Sequence, residues 1–484
     1  MRTHRYIARI ILEATTPLFV GSGESSLLKD ALVQKDVNGL PMIQGTSLTG
    51  VLRHGLQDTE SDKQKWNQIF GHPNGKDGLG SRLRISSAYL ILNDNKIGEG
   101  FEEIDDKTRT KFDNLPSRQH VRINDKGVAI KNGLFDNEVV YKGTRFKFEI
   151  ELIGNEQDKL VWIEILNQFN SALFRVGQGT RNGYGNLKVA NIKAKTFDLK
   201  IDFEAYTNFS SSLNDDTCLV DFTKENLKND GLSHYKLELE PDGLFFNFSE
   251  SFGDEEVDNK PLEEEIVIYK DNKINFETQT VIPATSIKGA IAHRTAFHFN
   301  KLKGKYADIL NKDNKAIRDI QIKMLTGNFN DAVHQLFGGE VGGMRLKENE
   351  KNYQSIVYEP ETKEGQRGKV IIDDVYFNKT QIDNDKIFNH VAIDRFTGGA
   401  MEGALFSEKS SRLINGIKLE INIAVEKTPL DEHVIEAFEN ALMDICDGLL
   451  PLGGMTTKGN GIFTGSLSKN NNENFYKYGD ERNK

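Results

Sequence analysis

Apolar and polar residues alternate with a period of two along His234-Tyr235-Lys236-Leu237-Glu238-Leu239-Glu240, the pattern of a strand with one buried face. Tyr6-Ile7-Ala8-Arg9-Ile10-Ile11-Leu12 reads as an opening strand of the same kind, and later strands fall on residues 144–150 and 416–423. Each opening strand leads through a turn-rich loop to a short helix. Ser47 and Ser286 stand at the expected N-caps, ahead of Leu48-Thr49-Gly50-Val51-Leu52-Arg53 and Ile287-Lys288-Gly289-Ala290-Ile291-Ala292. Second helices are expected over 160–174 and 431–450. Strand, helix, strands, helix, strand is an α+β order, ferredoxin-like with a largely antiparallel sheet, and it occurs twice.

The duplication can be followed by position. Leu18-Phe19-Val20 answers to Leu244-Phe245-Phe246, Thr46 to Gly50 answers to Thr285 to Gly289, and Phe70-Gly71 answers to Phe337-Gly338. His120-Val121-Arg122-Ile123-Asn124 answers to His390-Val391-Ala392-Ile393-Asp394. The offset grows from 226 to 270, as insertions in the second copy require. Glycine-rich loops close each copy, Gly177 to Gly185 with Arg181 and Gly453 to Gly461 with Lys458. Their small residues let backbone N–H groups approach a phosphate chain, although tight sheet packing would also call for glycine. The boundaries read as a first unit over 1–197, a connector over 198–233, a second unit over 234–468 and a mobile polar tail over 469–484. The patch Thr217-Cys218-Leu219-Val220 is expected to add an edge strand, and residues 97–118 and 338–368 to protrude as insertions.

Composition narrows the class without deciding it. A chain of 484 residues with 37% hydrophobic content holds more than one core. No apolar run reaches membrane-spanning length, and Met1-Arg2-Thr3-His4-Arg5 leads into a strand rather than a signal sequence, so a cytoplasmic protein with no membrane partner is expected. Cys218 and Cys446 lie far apart without Cys-x-x-Cys partners, so neither a disulfide framework nor a thiolate zinc site is supported. The net charge of −10 averages acidic insertions with cations inside the repeated motifs, so a local basic groove remains compatible with it.

These ordered motifs resemble the RAMP superfamily of CRISPR-associated proteins, specifically the type III effector backbone subunit that polymerises along guide RNA. The resemblance rests on Asp30 in its loop, Gly45-Thr46-Ser47-Leu48-Thr49-Gly50, Phe70-Gly71 and Gly177 to Gly185. It is repeated in Pro283-Ala284-Thr285-Ser286-Ile287-Lys288-Gly289, Phe337-Gly338 and Gly453 to Gly461. It implies two tandem ferredoxin-like (RRM-like) RAMP domains with inserted loops and β-hairpin thumbs, fused as in subtype III-D. Neither a polymerase-type Gly-Gly-Asp-Asp nor a histidine-aspartate nuclease motif is present, which excludes the large signalling subunit.

The same resemblance implies an endoribonuclease that needs a divalent cation, Mg2+ or Mn2+. Its partners would be guide CRISPR RNA, complementary target RNA and other type III effector subunits. Asp30 falls where the family keeps its target-cleaving aspartate, and a carboxylate there can orient the attacking 2′-hydroxyl, take its proton or hold the cation. Which residues ligate the metal stays open. Alignment of Asp30-Ala31-Leu32 with Glu265-Ile266-Val267 places Glu265 as the second catalytic candidate, with Glu264 and Asp258 in reserve in the same acidic loop. The longer side chain and the wider spacing to Ser286 predict a weak second site. Ser47, Arg53, Ser286 and Lys288 are expected to bind phosphate at helix starts, and His120 and His390, with Arg118 and Arg122, to contact the guide on the thumbs. Gly177, Gly179, Arg181, Gly453, Gly454 and Lys458 complete the expected RNA-binding set. Two alternatives remain: a backbone with idle carboxylates, and the guide-maturing RAMP endoribonuclease.

Overall fold

A computed structural model describes residues 2–26, 29–56, 60–73, 78–123, 128–222, 231–243, 245–249, 255–339, 343–346, 356–359, 365–470 and 472–481. Two antiparallel sheets dominate it. The first runs Leu83–Ile85, Arg145–Gly154, His4–Ala14, Leu187–Asp198, Val220–Asp221, with Tyr89–Leu90 also on Arg145–Gly154. The second runs Val370–Ile372, Leu419–Glu426, Leu232–Pro241, Phe463–Lys469, Asn472–Lys477. Numbered along each repeat, the four core strands stand in the same order, 2-3-1-4.

Each sheet shares its core with two helices. Gly45–Leu56 and Lys159–Gln168 bury Leu48, Leu52, Trp162 and Ile165 against Tyr6, Ala8, Ile10 and Leu12. Ala284–Leu302 and Glu432–Cys446 bury Ile287, Ile291, Phe438 and Leu442 against Leu237 and Leu239. The other faces differ. In the second sheet Lys236, on the outward face, pairs with Glu238 at 2.6 Å and Glu420 at 3.1 Å. In the first sheet the connector folds over that face. Arg9, 1% exposed, pairs with Glu149, donates to the Ser210 carbonyl and lies over the Phe209 ring. That cover explains why Ile7 and Arg9 are buried along with Tyr6, Ala8 and Ile10.

Several expectations change here. The connector does supply the edge strand Val220–Asp221. The tail is not free, because Asn472–Lys477 pairs with the last core strand and buries Tyr476. Residues 97–118 do not protrude, since the helix Asp106–Asp113 sinks Phe112 into the first core. The 338–368 insertion forms short strands, and 340–342, 347–355 and 360–364 lie outside the described residues.

The two repeats interlock. The hairpin Glu263–Lys270 and Lys273–Ile282 turns at Asp271 and Asn272, both at positive φ, and places Val267 and Ile274 in the first repeat's core. Each buried aliphatic side chain there contributes roughly 1.5–3 kcal/mol. Gly143, at φ +87°, lies so close that a Cβ would sit 1.8 Å from the Val267 carbonyl oxygen. Two longer hairpins stand off the sheets: Ser117–Ile123 with Ala129–Glu138, and Ile382–Ile393 with Ala400–Leu413.

Candidate nucleic-acid interface and carboxylate loops

The loop after each opening strand is built twice with one offset, 228. Leu18 bridges Val140 as Phe246 bridges Ser411, Gly21 bridges Val33 as Ser249 bridges Pro261, and Ala31 runs parallel to Asn137 as Asn259 does to Glu408. The Gln34 amide donates to the Val20 carbonyl as Leu262 does to Phe248. This register sets Asp258, not Glu265, in the place of Asp30. The backbone contacts agree: Asp30 Oδ2 accepts from the Asp136 amide at 3.1 Å, and Asp258 Oδ2 accepts from the Ser407 amide at 2.7 Å. Leu18 likewise corresponds to Phe246, two residues from its place in the sequence alignment.

Glu265 lies on a strand rather than in an acidic loop, and both of its oxygens are 2.6 Å from Lys111 Nζ. The extra length before Ser286 is the docking hairpin, which begins after Asp258. Asp30 is exposed. Its loop is pinned by Glu138, which accepts from Lys29 Nζ at 2.8 Å and from the Val33 amide at 2.9 Å. Asp136 beside it provides a second carboxylate, and these two are the pair that could hold a divalent cation in the first repeat. Among the described residues no group of three or more His, Cys, Asp or Glu side chains is arranged to hold a metal.

The histidines occupy matching places on the two hairpins. His120 stands opposite Phe135 and stacks on it at 5.1 Å; His390 stands opposite Phe406 and stacks at 4.7 Å. His120 Nε2 is hydrogen-bonded to the Tyr184 hydroxyl, and burial together with the Arg118 charge lowers its pKa to about 4. The ring is therefore neutral at physiological pH and brings no charge to the hairpin. The Arg122 side chain and Asn124 lie outside the described residues.

Arg118 is not available to RNA. Its side chain is 4% exposed and holds Asp374 at 2.6 Å and both oxygens of Glu264, across the junction of the repeats. Burial works against its charge, but Asp374 and Glu264 raise its pKa well above normal. Arg181 is ion-paired with Glu426 and Lys288 Nζ donates to the Arg181 carbonyl at 2.9 Å, so both face the same junction. Burial pushes Lys288 down to about 8.

Neither serine caps its helix. The helices begin at Gly45 and Ala284, which makes Ser47 and Ser286 third residues, and Pro283 holds the second N-cap. The Ala284 amide is taken by Asp374 at 2.7 Å. Arg53 is two turns from its helix start and bonds Asn67 at 2.7 Å, so it cannot share a phosphate with that terminus.

The glycine loops are also occupied by packing. Gly177 and Gly453 have positive φ, and a Cβ on either would lie 2.2 or 2.3 Å from the carbonyl of Phe19 or Asn247. The amides of Gln178 and Gly454 donate to those same carbonyls. Gly179, at φ +71°, backs onto the Tyr184 ring. Lys458 is exposed, with Nζ 4.5 Å from the Phe406 ring centre.

The RAMP superfamily model matches residues 11–188 and 271–464. The chain belongs to the RAMP superfamily. Among curated relatives, the CRISPR system Cms endoribonuclease Csm3 of Methanocaldococcus jannaschii is 28% identical over 211 residues, 38% of this chain and 77% of the relative. Its namesake from Mycobacterium tuberculosis is 27% identical over 215 residues, 38% of this chain and 86% of the relative. Most of each relative thus aligns to a minority of this RAMP protein, and the two matched regions account for the rest as a fusion of two units of the type III kind. No helix among the described residues is long and apolar enough to cross a membrane.

Proposed function

We propose that this chain is a tandem backbone subunit of a type III CRISPR interference complex, two ferredoxin-like RAMP units in one polypeptide. It holds guide RNA and cuts complementary target RNA beside both units. The carrying observation is the constant register that gives Asp30 and Asp258 the same backbone setting beside a hairpin. The 2-3-1-4 strand order supports the ferredoxin-like assignment. The paired hairpins with His120 and His390 serve as thumbs between guide and target. Contacts to the guide are to sugar and phosphate, and base pairing selects the target.

Each carboxylate would orient or deprotonate the target 2′-hydroxyl for attack on the adjacent phosphorus, leaving a 2′,3′-cyclic phosphate and a 5′-hydroxyl. A divalent cation, Mg2+ or Mn2+, supplies charge neutralisation at the phosphate, and Asp30 with Asp136 would hold it in the first unit. The first unit's helix start and the second unit's exposed glycine loop lie outside the internal junction, and further effector subunits would join there.

The test is cleavage of labelled target by the reconstituted complex. Two cuts are expected. Asp30→Asn should remove one and Asp258→Asn the other, each by about a hundredfold or more, while Glu265→Ala leaves both. Full cleavage by the double variant Asp30→Asn/Asp258→Asn would reduce the chain to a structural backbone.

A further inference from the structure

The loop that carries Asp30 is held from both sides by one residue of the neighbouring strand. Glu138 ends the strand Ala129–Glu138 and is 4% exposed. Its Oε1 accepts from Lys29 Nζ at 2.8 Å and its Oε2 from the Val33 amide at 2.9 Å, while its own amide donates to the Ala31 carbonyl at 3.1 Å. Lys29 Nζ donates to the Leu115 carbonyl as well, at 2.9 Å, so the ammonium is tied at two points. Asp136, two residues back on the same face of the strand, meets the Asp30 amide. The exposed carboxylate is thus set by its flanks, residues 29, 31 and 33, and all three are bonded to Glu138.

The second repeat anchors its loop by other means. The offset of 228 sets Val257 in the place of Lys29 and Pro261 in the place of Val33, and the parallel bridges set Lys409 in the place of Glu138. The Lys409 amide still donates to the Asn259 carbonyl, at 2.8 Å. The side chains change together: Val257 is 3% exposed and is held by apolar burial, and Pro261 has no N–H to satisfy. A carboxylate is called for only where an ammonium and an amide need an acceptor.

We propose, on the reading of Asp30 as a cleaving carboxylate, that Glu138 is the positioning residue of the first unit's site. It fixes the Asp30 carboxylate for the target 2′-hydroxyl without touching the target itself. About 1 Å of misplacement costs on the order of a hundredfold in rate, so loosened flanks lower the rate of cleavage rather than the affinity for target. The second loop does not use this clamp, which confines the effect to one cut.

The experiment follows both cuts of labelled target, at saturation, by the reconstituted complex. The cut beside the second unit reports on folding and target binding in the same reaction. Glu138→Ala should slow the cut that Asp30→Asn removes by about tenfold to a hundredfold, with the other cut and the target affinity within about twofold of wild type. Glu138→Gln keeps one acceptor oxygen and should fall between. Lys29→Met should also slow that cut, and adding it to Glu138→Ala should cost little more, as for two members of one clamp. If Asp30→Asn leaves both cuts intact, the assignment of Asp30 fails and the positioning role with it. If Asp30→Asn removes one cut while Glu138→Ala leaves both within about twofold, the positioning role alone fails. Equal loss of both cuts, or loss of target affinity in place of rate, would make Glu138 a fold or binding residue and overturn that role too.

Discussion

Replacing Arg118 with Ala separates a structural role from an RNA contact. The guanidinium is the partner of Asp374, whose side chain is 0% exposed, and of Glu264. Without it Asp374 keeps the Ala284 amide and Glu264 keeps the Tyr376 hydroxyl. Stranding a buried charge in this way costs about 3–5 kcal/mol. The loss has a ceiling, because the carboxyl can take a proton instead. At pH 7, protonating an aspartate of ordinary pKa costs about 4 kcal/mol, and at pH 5 only about 1.5.

The sign follows from linkage. In the variant the folded pKa of Asp374 lies above its unfolded value, so stability is retained at low pH and lost as pH rises. Burial already raises this pKa in the native chain. Arg118→Ala should therefore melt about 8–16 °C below wild type at pH 7, at about 2–4 °C per kcal/mol for a unit of this size. The gap should narrow clearly at pH 5. Adding Asp374→Asn should recover part of the loss by removing the stranded charge. Thermal melts read by circular dichroism at both pH values, with guide affinity measured against salt, make the test. A melting temperature within about 2 °C of wild type, with a salt slope lowered by about one unit, would put Arg118 on RNA and refute the reasoning.

Gly143→Ala should destabilise the docking of the second repeat's hairpin by roughly 1–3 kcal/mol or more, through a φ of +87° and the contact with Val267; proteolysis should then cut between the repeats faster, and unchanged rates would oppose it. His120 has a folded pKa of about 4 against 6.5 unfolded, so stability should fall as pH drops from 6.5 to about 4 and change no further below. His120→Gln should flatten that limb, and identical pH profiles would exclude His120 as its source. Lys458→Ala should lower the salt slope of guide binding by about one unit, whereas Arg181→Ala should leave it unchanged, because only Lys458 is exposed and free of the junction; the reverse pattern would mean that the repeats separate on RNA.

Periodicity and repeated motifs determined much of this protein in advance. The alternation at His234 to Glu240, the core helices and the matched histidines follow from short-range pattern, which is why the opening strands and the repeat were legible, whereas the hairpins were expected only from the family resemblance. The charges were not. Arg118 meets Glu264 and Asp374 across 146 and 256 residues, and Arg181 meets Glu426 across 245. A basic side chain inside a motif looks the same whether it faces phosphate or a buried carboxylate. The second carboxylate was missed for a related reason. Sequence shows that residues were inserted before Ser286, but not that they form a hairpin beginning after Asp258, so the acidic run around Glu265 took the aspartate's place. Only backbone pairing fixed that register, because a bridge between Asn259 and Glu408 depends on where two distant strands lie, and local sequence carries no record of it.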